Sequence, residues 1–235
     1  MSDAAYRHAI YFAPPVDSAW WQAGSEWLGR CAAQGRTLTQ PPIAGVPAPV
    51  QAQLTRAPRR YGFHATLKAP FALAPSAGMR PLQAALRDIC STHAAFEMPR
   101  MKVAQVDDFL ALVPDDGDSS AIDALAAACV KRLQPLAAAL SEAELERRRK
   151  AGLTPEEDAL LLRWGYPFVL ERFRFHMSLT GALADAAPDE VEAIERAAEA
   201  LFGALPAMRF DALSLFAEPT AGADFALVEQ MALGA

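Results

Sequence analysis

The chain repeats itself, and that repeat limits the folds open to it more than any other feature. His64-Ala65-Thr66-Leu67 and His176-Met177-Ser178-Leu179 both read His-x-[Ser/Thr]-Leu, and each follows a phenylalanine, Phe63 or Phe175. A phenylalanine opening an apolar run stands 32 residues after His64 and 34 after His176; a second stands 45 and 49 residues after them. Each first interval holds a proline-started amphipathic segment. One has Leu82, Leu86 and Ile89 on one side, the other Val191, Ile194, Ala198 and Leu201, which predicts helices over about 81–92 and 188–202. Each half therefore reads strand, helix, strand, turn, strand, an internal duplication at the level of architecture. The chain has only four histidines, and ordinary residue usage would give two such motifs among them in roughly one chain in a thousand.

The remaining segments fit around this repeat. Residues 6–13 are β-rich and stopped by Pro14-Pro15, which predicts a first strand. Asp17 or Ser18 can cap a helix to about residue 31, with Trp20, Trp21 and Trp27 as core residues. Residues 34–50 carry four prolines and read as a surface loop. Residues 96–106 and 109–113, split by Asp107-Asp108, read as a hairpin closed by Pro114-Asp115-Asp116-Gly117; residues 210–216 and 225–233 form the corresponding pair. Between the halves, residues 120–163 are helical, with helix starts at Ser141-Glu142-Ala143-Glu144 and Thr154-Pro155-Glu156-Glu157. The expected fold is α+β: one bilobal domain of two pseudo-twofold βαββ lobes whose antiparallel sheets line a central cleft. The first repeat covers about 59–114, the helical insertion about 120–163, and the second repeat about 166–235.

Composition excludes several function classes. A net charge of −6 argues against coating nucleic acid by charge alone, while leaving room for a local basic cleft. With no run of about 18 apolar residues and no basic-then-apolar N-terminus, the chain is expected to be cytoplasmic, with no membrane partner. It is expected to act as a monomer. Cys31, Cys90 and Cys129 are scattered and odd in number, as expected of reduced core residues.

On a strand, His64 and Thr66 share one face, and so do His176 and Ser178. Brought together across a cleft, the two pairs supply the parts for displacement at phosphorus. One neutral imidazole accepts a proton from the attacking group, and one imidazolium gives a proton to the leaving oxygen. The hydroxyls of Thr66 and Ser178 donate to the non-bridging oxygens. No metal or cofactor is required. The blander alternative is a pair of hydrogen-bonded core histidines. Lys68, two residues past Thr66, and Arg174, two before His176, lie on the same predicted faces and are candidate phosphate contacts or else rim cations, as is Arg60. Tyr11 and Tyr61 read as core or rim aromatics, with a place in the cleft lining as the alternative, and His8 and His93 as structural or surface groups. Arg147-Arg148-Arg149-Lys150 follows Glu142, Glu144 and Glu146 and reads as a solvated helix face with internal ion pairs rather than a nucleic-acid patch.

The paired motifs resemble the 2H phosphoesterase superfamily. The wider segments Arg59-Arg60-Tyr61-Gly62-Phe63-His64-Ala65-Thr66-Leu67-Lys68, Trp164-Gly165-Tyr166-Pro167 and Phe173-Arg174-Phe175-His176, with RHAIYFAPP near the N-terminus, are similar to a branch associated with phosphonate metabolism and carbon–phosphorus lyase operons. The resemblance implies a bilobal α+β fold, His64 and His176 as an acid/base pair, and Thr66 and Ser178 as phosphate ligands; serine replaces the commoner threonine in the second motif. The substrate it implies is a small phosphate ester, such as a cyclic phosphodiester. An RNA 2′,3′-cyclic phosphate end and a non-catalytic sensor of a phosphorylated metabolite are the alternatives.

Overall fold

The computed structural model describes residues 5–150 and 152–234. Its strands are β1 (Arg7–Phe12), β2 (Arg30–Cys31), β3 (Arg36–Thr37), β4 (Ala65–Phe71), β5 (Phe96–Glu97), β6 (Met101–Val106), β7 (Phe109–Pro114), β8 (Met177–Ser178), β9 (Arg209–Phe210), β10 (Ala212–Glu218) and β11 (Ala226–Ala232). The helices are α1 (Ala19–Leu28), α2 (Ala48–Leu54), α3 (Arg56–Arg59), α4 (Met79–Ser91), α5 (Ser120–Leu133), α6 (Glu142–Arg149), α7 (Pro155–Trp164) and α8 (Pro188–Gly203). The fold is α+β, and the strand–helix–strand–strand order occurs twice, as β4-α4-β6-β7 and β8-α8-β10-β11.

Seven strands form one sheet in the order β11-β10-β1-β4-β8-β7-β6, with every pairing antiparallel. The repeats are interlocked within it. The β6–β7 hairpin, which follows the first motif in sequence, pairs with β8 of the second; β10–β11 lies on the β4 side, with β1 between them. The two motif strands are thereby neighbours at the middle of the sheet. The β6–β7 hairpin turns at Asp107-Asp108, where Asp107 has φ 51°. The expected closure at Pro114-Asp115-Asp116-Gly117 instead leads out of the hairpin, because the two aspartates alone can reverse the chain.

Alternation along the strands gives the sheet two faces. Ile10 and Phe12, Ala65 and Leu67, Leu110 and Leu112, and Met177 join the main core, packed with α1, α4, α5 and α8. Ala9, Tyr11 and Ala13 point the other way, into a smaller cluster with Trp21, Cys31, Phe216 and Phe225. That second cluster covers part of the sheet and leaves the stretch beside β4 and β8 open. The three cysteines are free and buried. No helix among the described residues is long and apolar enough to cross a membrane.

Helix α1 ties both motifs to the core. Ser18 accepts from the backbone N–H of Trp21 as N-cap, and Gly29 ends the helix at φ 75°. The Trp27 indole N–H donates to the carbonyl of Leu179, the last residue of the second motif, at 2.9 Å. On the same helix, Phe63, which precedes His64, lies against Gly24: a Cβ there would stand 2.1 Å from the ring. Phe63 in turn stacks on Phe202 of α8, with centroids 5.7 Å apart. A Gly24→Ala variant is expected to lose about 1–3 kcal/mol by overpacking and to displace the backbone that carries His64. Chemical denaturation checks the first effect, and the His64 imidazole resonances check the second.

Candidate active site

The site begins from one register. Ala65 of β4 faces Met177 of β8 in an antiparallel pair, and both side chains point into the main core. Continuing one residue each way sets His64 opposite Ser178 and Thr66 opposite His176, all four on the opposite face. The histidines therefore stand on a diagonal, where neighbours lie about 7–8 Å apart with their Cβ atoms somewhat closer, which leaves room for a phosphate group between the rings. The hydroxyls take the other diagonal.

Both imidazoles are held alike. His64 Nδ1 is 2.8 Å from the carbonyl of Gly62, and His176 Nδ1 is 2.9 Å from the carbonyl of Arg174. In each case the partner lies two residues upstream, so the duplication extends to the tautomer. A carbonyl accepts only, which puts the proton on Nδ1 and leaves Nε2 facing the site. Gly62 reaches this position with φ 81°, and a Cβ there would lie 2.7 Å from Ala32 Cβ, so only glycine fits. His64 Nε2 is 3.2 Å from Thr66 Oγ1, and the hydroxyl donates. The His64 ring sits 3.8 Å from the Tyr11 ring and 6.1 Å from Tyr61. Burial among these groups lowers its pKa to about 4; the Gly62 hydrogen bond opposes the shift, and the nearby His176 adds to it.

These residues open onto a cavity of ≈ 780 Å³. Tyr11, His64, Thr66, Ser178 and Thr180 line it, and the Thr180 hydroxyl also accepts from the Leu110 N–H at 2.9 Å. His176 stands at its margin, 5.6 Å from the lining ring of Phe109. Arg7, Arg60, Arg147 and Arg148 complete the charged lining, which contains no carboxylate among the described residues. An acidic chain thus builds a cationic pocket. Among the described residues no group of three His, Cys, Asp or Glu side chains could hold a metal ion.

Of the six residues singled out from sequence, His64, Thr66 and Ser178 line the cavity and His176 adjoins it; Lys68 and Arg174 lie elsewhere. Pairing between β1 and β4 slips, with Tyr11 opposite Thr66 but Ile10 opposite Lys68. This bulge turns Lys68 from the site face to the helix face. There it is buried and donates to Gln134 Oε1 at 2.9 Å, and burial brings its pKa down to about 8. Arg174 is exposed and folds back to donate to the Phe173 carbonyl at 2.6 Å.

The arginine run of α6 also departs from expectation. Arg149 pairs with Asp158 of α7 at 2.6 Å, not with the glutamates of its own helix. Arg147 and Arg148 reach the cavity lining without an ion pair among the described residues, Arg147 exposed as expected and Arg148 half-buried. His8 is buried, and neither of its ring nitrogens has a partner among the described residues. Sequence reasoning also missed Arg7, Tyr166, Thr180 and Glu218. Arg7 alone carried a signal, since it shares a strand face with Tyr11.

Glu218 lies behind the arginines. Its side chain is fully buried and accepts from Arg7 Nε at 2.6 Å, from Arg60, and from the Gly222 N–H at 2.8 Å. Arg60 also donates to Tyr61 Oη at 3.3 Å. One carboxylate thus fixes two guanidiniums at the cavity wall.

Comparison with known proteins gives three results. Residues 66–226 match the family described as "Protein of unknown function (DUF1045)". Two curated relatives, both called ribose 1,5-bisphosphate phosphokinase PhnN, come from Janthinobacterium sp. (strain Marseille) and Laribacter hongkongensis (strain HLHK9). They are 43% identical over 227 residues and 41% identical over 224, covering 95% and 94% of this chain and 50% of each relative. The chain thus spans about half the length of the curated relatives it matches. Among solved structures, E. coli LigT complexed with 3′-AMP aligns over 97% of this chain and 98% of that one, at 13% identity and a TM-score of 0.43.

Proposed function

We propose that this chain, which belongs to the DUF1045 family, is a metal-independent phosphoesterase that opens a small cyclic phosphate or cleaves a small phosphodiester by two-histidine acid/base catalysis. The observation that carries this reading is the β4–β8 register, which sets two His/hydroxyl pairs on crossed diagonals beside a cationic cavity. It agrees with the resemblance of the paired motifs to the 2H phosphoesterases.

His64 serves as the base. Its depressed pKa keeps it neutral, and Nε2 faces the site. As the phosphate settles, the Thr66 hydroxyl swings from Nε2 to a non-bridging oxygen and frees the lone pair. Water then attacks phosphorus and passes its proton to His64 Nε2. The ester P–O bond opposite breaks, and His176, which enters this step as the imidazolium with a proton on each ring nitrogen, gives its Nε2 proton to the departing oxygen and keeps the Nδ1 proton on the Arg174 carbonyl. Ser178 and Thr66 hold the equatorial oxygens.

The name of the relatives supports a phosphorylated ribose as the molecule carrying the phosphorus, in line with a role in phosphonate breakdown. No glycine in this chain is followed by lysine, so it contains no Walker-type phosphate loop. We assign the kinase activity in that name to the part of the relatives beyond this chain. The arginines gather in one cavity instead of along a groove, which favours a small substrate over an RNA end.

The test is hydrolysis of ribose cyclic phosphates and nucleoside 2′,3′-cyclic phosphates with chelator present. Turnover should persist, and kcat/KM should be bell-shaped in pH with its acid limb near pH 4, where free His64 gains its proton. An acid limb at the ordinary imidazole value of about 6.5 would take the base role from His64. Loss of activity on chelation would end the metal-free mechanism.

A further inference from the structure

We propose that α6 supplies a second anion subsite, Arg148 with Arg147 beside it, so that the cavity takes a molecule bearing two phosphates: one between the histidines and one against the arginines. This rests on the proposed phosphoesterase reading for the first phosphate only.

The argument begins from a cation without a counter-ion. Arg148 lines the cavity half-buried, and its Nε is shut off from solvent with no hydrogen-bond partner among the described residues. Neither Arg147 nor Arg148 has a carboxylate within ion-pair distance among those residues. Glu144, which acts on Arg148 at longer range, is engaged with the Ser141 N–H and hydroxyl in the capping box that starts the helix. Arg149, next along, has a full partner in Asp158. A desolvated donor with nothing to donate to is costly, and the guanidinium that carries it belongs to a residue of the cavity lining.

The surroundings extend the pole. The Arg148 guanidinium stands 5.7 Å from the centre of the Tyr166 ring, which braces it in place. Arg7 is near enough to act on Arg148 electrostatically, as Tyr61 is on Tyr166. Glu218 neutralises only one charge of the Arg7–Arg60 pair. The Tyr61 ring lies between this pole and the base, 6.1 Å from the His64 ring and 5.3 Å from the Arg60 guanidinium. A fork of guanidinium donors suits a phosphate monoester, and His64, Arg147 and Arg148 line one and the same cavity.

The test compares binding of ribose 1,5-bisphosphate with that of ribose 5-phosphate, by calorimetry on the whole chain. The bisphosphate should bind at least tenfold tighter. In Arg148→Gln that ratio should fall below about threefold, and Arg148→Lys should restore part of it; melting curves confirm that the variants are folded. A ratio near one in the unaltered protein, or one unchanged in both Arg148 variants, overturns the subsite. The same preparations are assayed on the cyclic-phosphate panel. Hydrolysis with no bisphosphate preference removes the subsite and leaves the catalytic reading. A preference dependent on Arg148 without hydrolysis removes the catalytic reading and leaves the subsite.

Discussion

Replacing His64 or His176 by alanine is expected to lower turnover of the cyclic-phosphate panel by about 10²–10⁴-fold each, without unfolding the protein. Each imidazole carries one proton of the same displacement, so the double variant should fall little further than the worse single one. Retained rates in both single variants would remove the assignment. His64 has a second signature, in stability. Its pKa of about 4 in the folded chain compares with about 6.5 when unfolded, so the unfolded state binds more protons between those values. Stability is therefore complete above about pH 6.5 and falls as the pH drops toward 4, by about 2–3 kcal/mol. His8, whose pKa burial also lowers, adds a loss of the same sign. Urea unfolding at several pH values should show a shallower acid slope in His64→Ala than in the unaltered chain. An equal slope would mean that the ring is not held neutral in the folded state.

The central arrangement could be read from the sequence because both motifs obey one local rule. A two-residue alternation puts His and hydroxyl on one face whatever the partner strand, and the repeat implies that equivalent faces meet. What failed was set by backbone events or packing that leave little mark on local sequence. Lys68 keeps the right spacing from His64, but a bulge in β4 turns it away, and nothing in Leu67-Lys68-Ala69 announces a bulge. The Arg147–Arg148 pair was visible as charge. Its helix carries glutamates that suggest internal pairing, and only the packing beside Tyr166 shows that Arg148 faces inward. Glu218 falls between the apolar runs 210–216 and 225–233, where the sequence offers only a connection. Its partners Arg7 and Arg60 are 211 and 158 residues away in sequence, beyond any periodicity argument.

The largest stability effect expected outside the core belongs to that glutamate. Glu218→Ala should destabilise the chain by about 3–5 kcal/mol. Three donors lose their acceptor together: Arg7 Nε, Arg60 and the Gly222 N–H. The side chain is fully buried while Arg7 and Arg60 keep 16% and 28% of theirs exposed, so the guanidiniums can swing toward water and relieve part of the strain. The gap left by the carboxylate cannot be relieved in that way. Glu218→Gln keeps the shape and one acceptor, and should recover part of the stability but not the charge balance. Arg60 also donates to Tyr61, and the Tyr61 ring packs on Phe225 with centroids 5.1 Å apart. Loosening Arg60 therefore loosens one wall of the cavity. On that account KM for a phosphate ester should rise in Glu218→Gln more than kcat falls, because the proton-transfer groups on β4 and β8 stay in register. Urea denaturation and steady-state kinetics on the two variants check both halves. A cost below about 1 kcal/mol for Glu218→Ala, with KM unmoved, would mean that the carboxylate does not anchor the arginines.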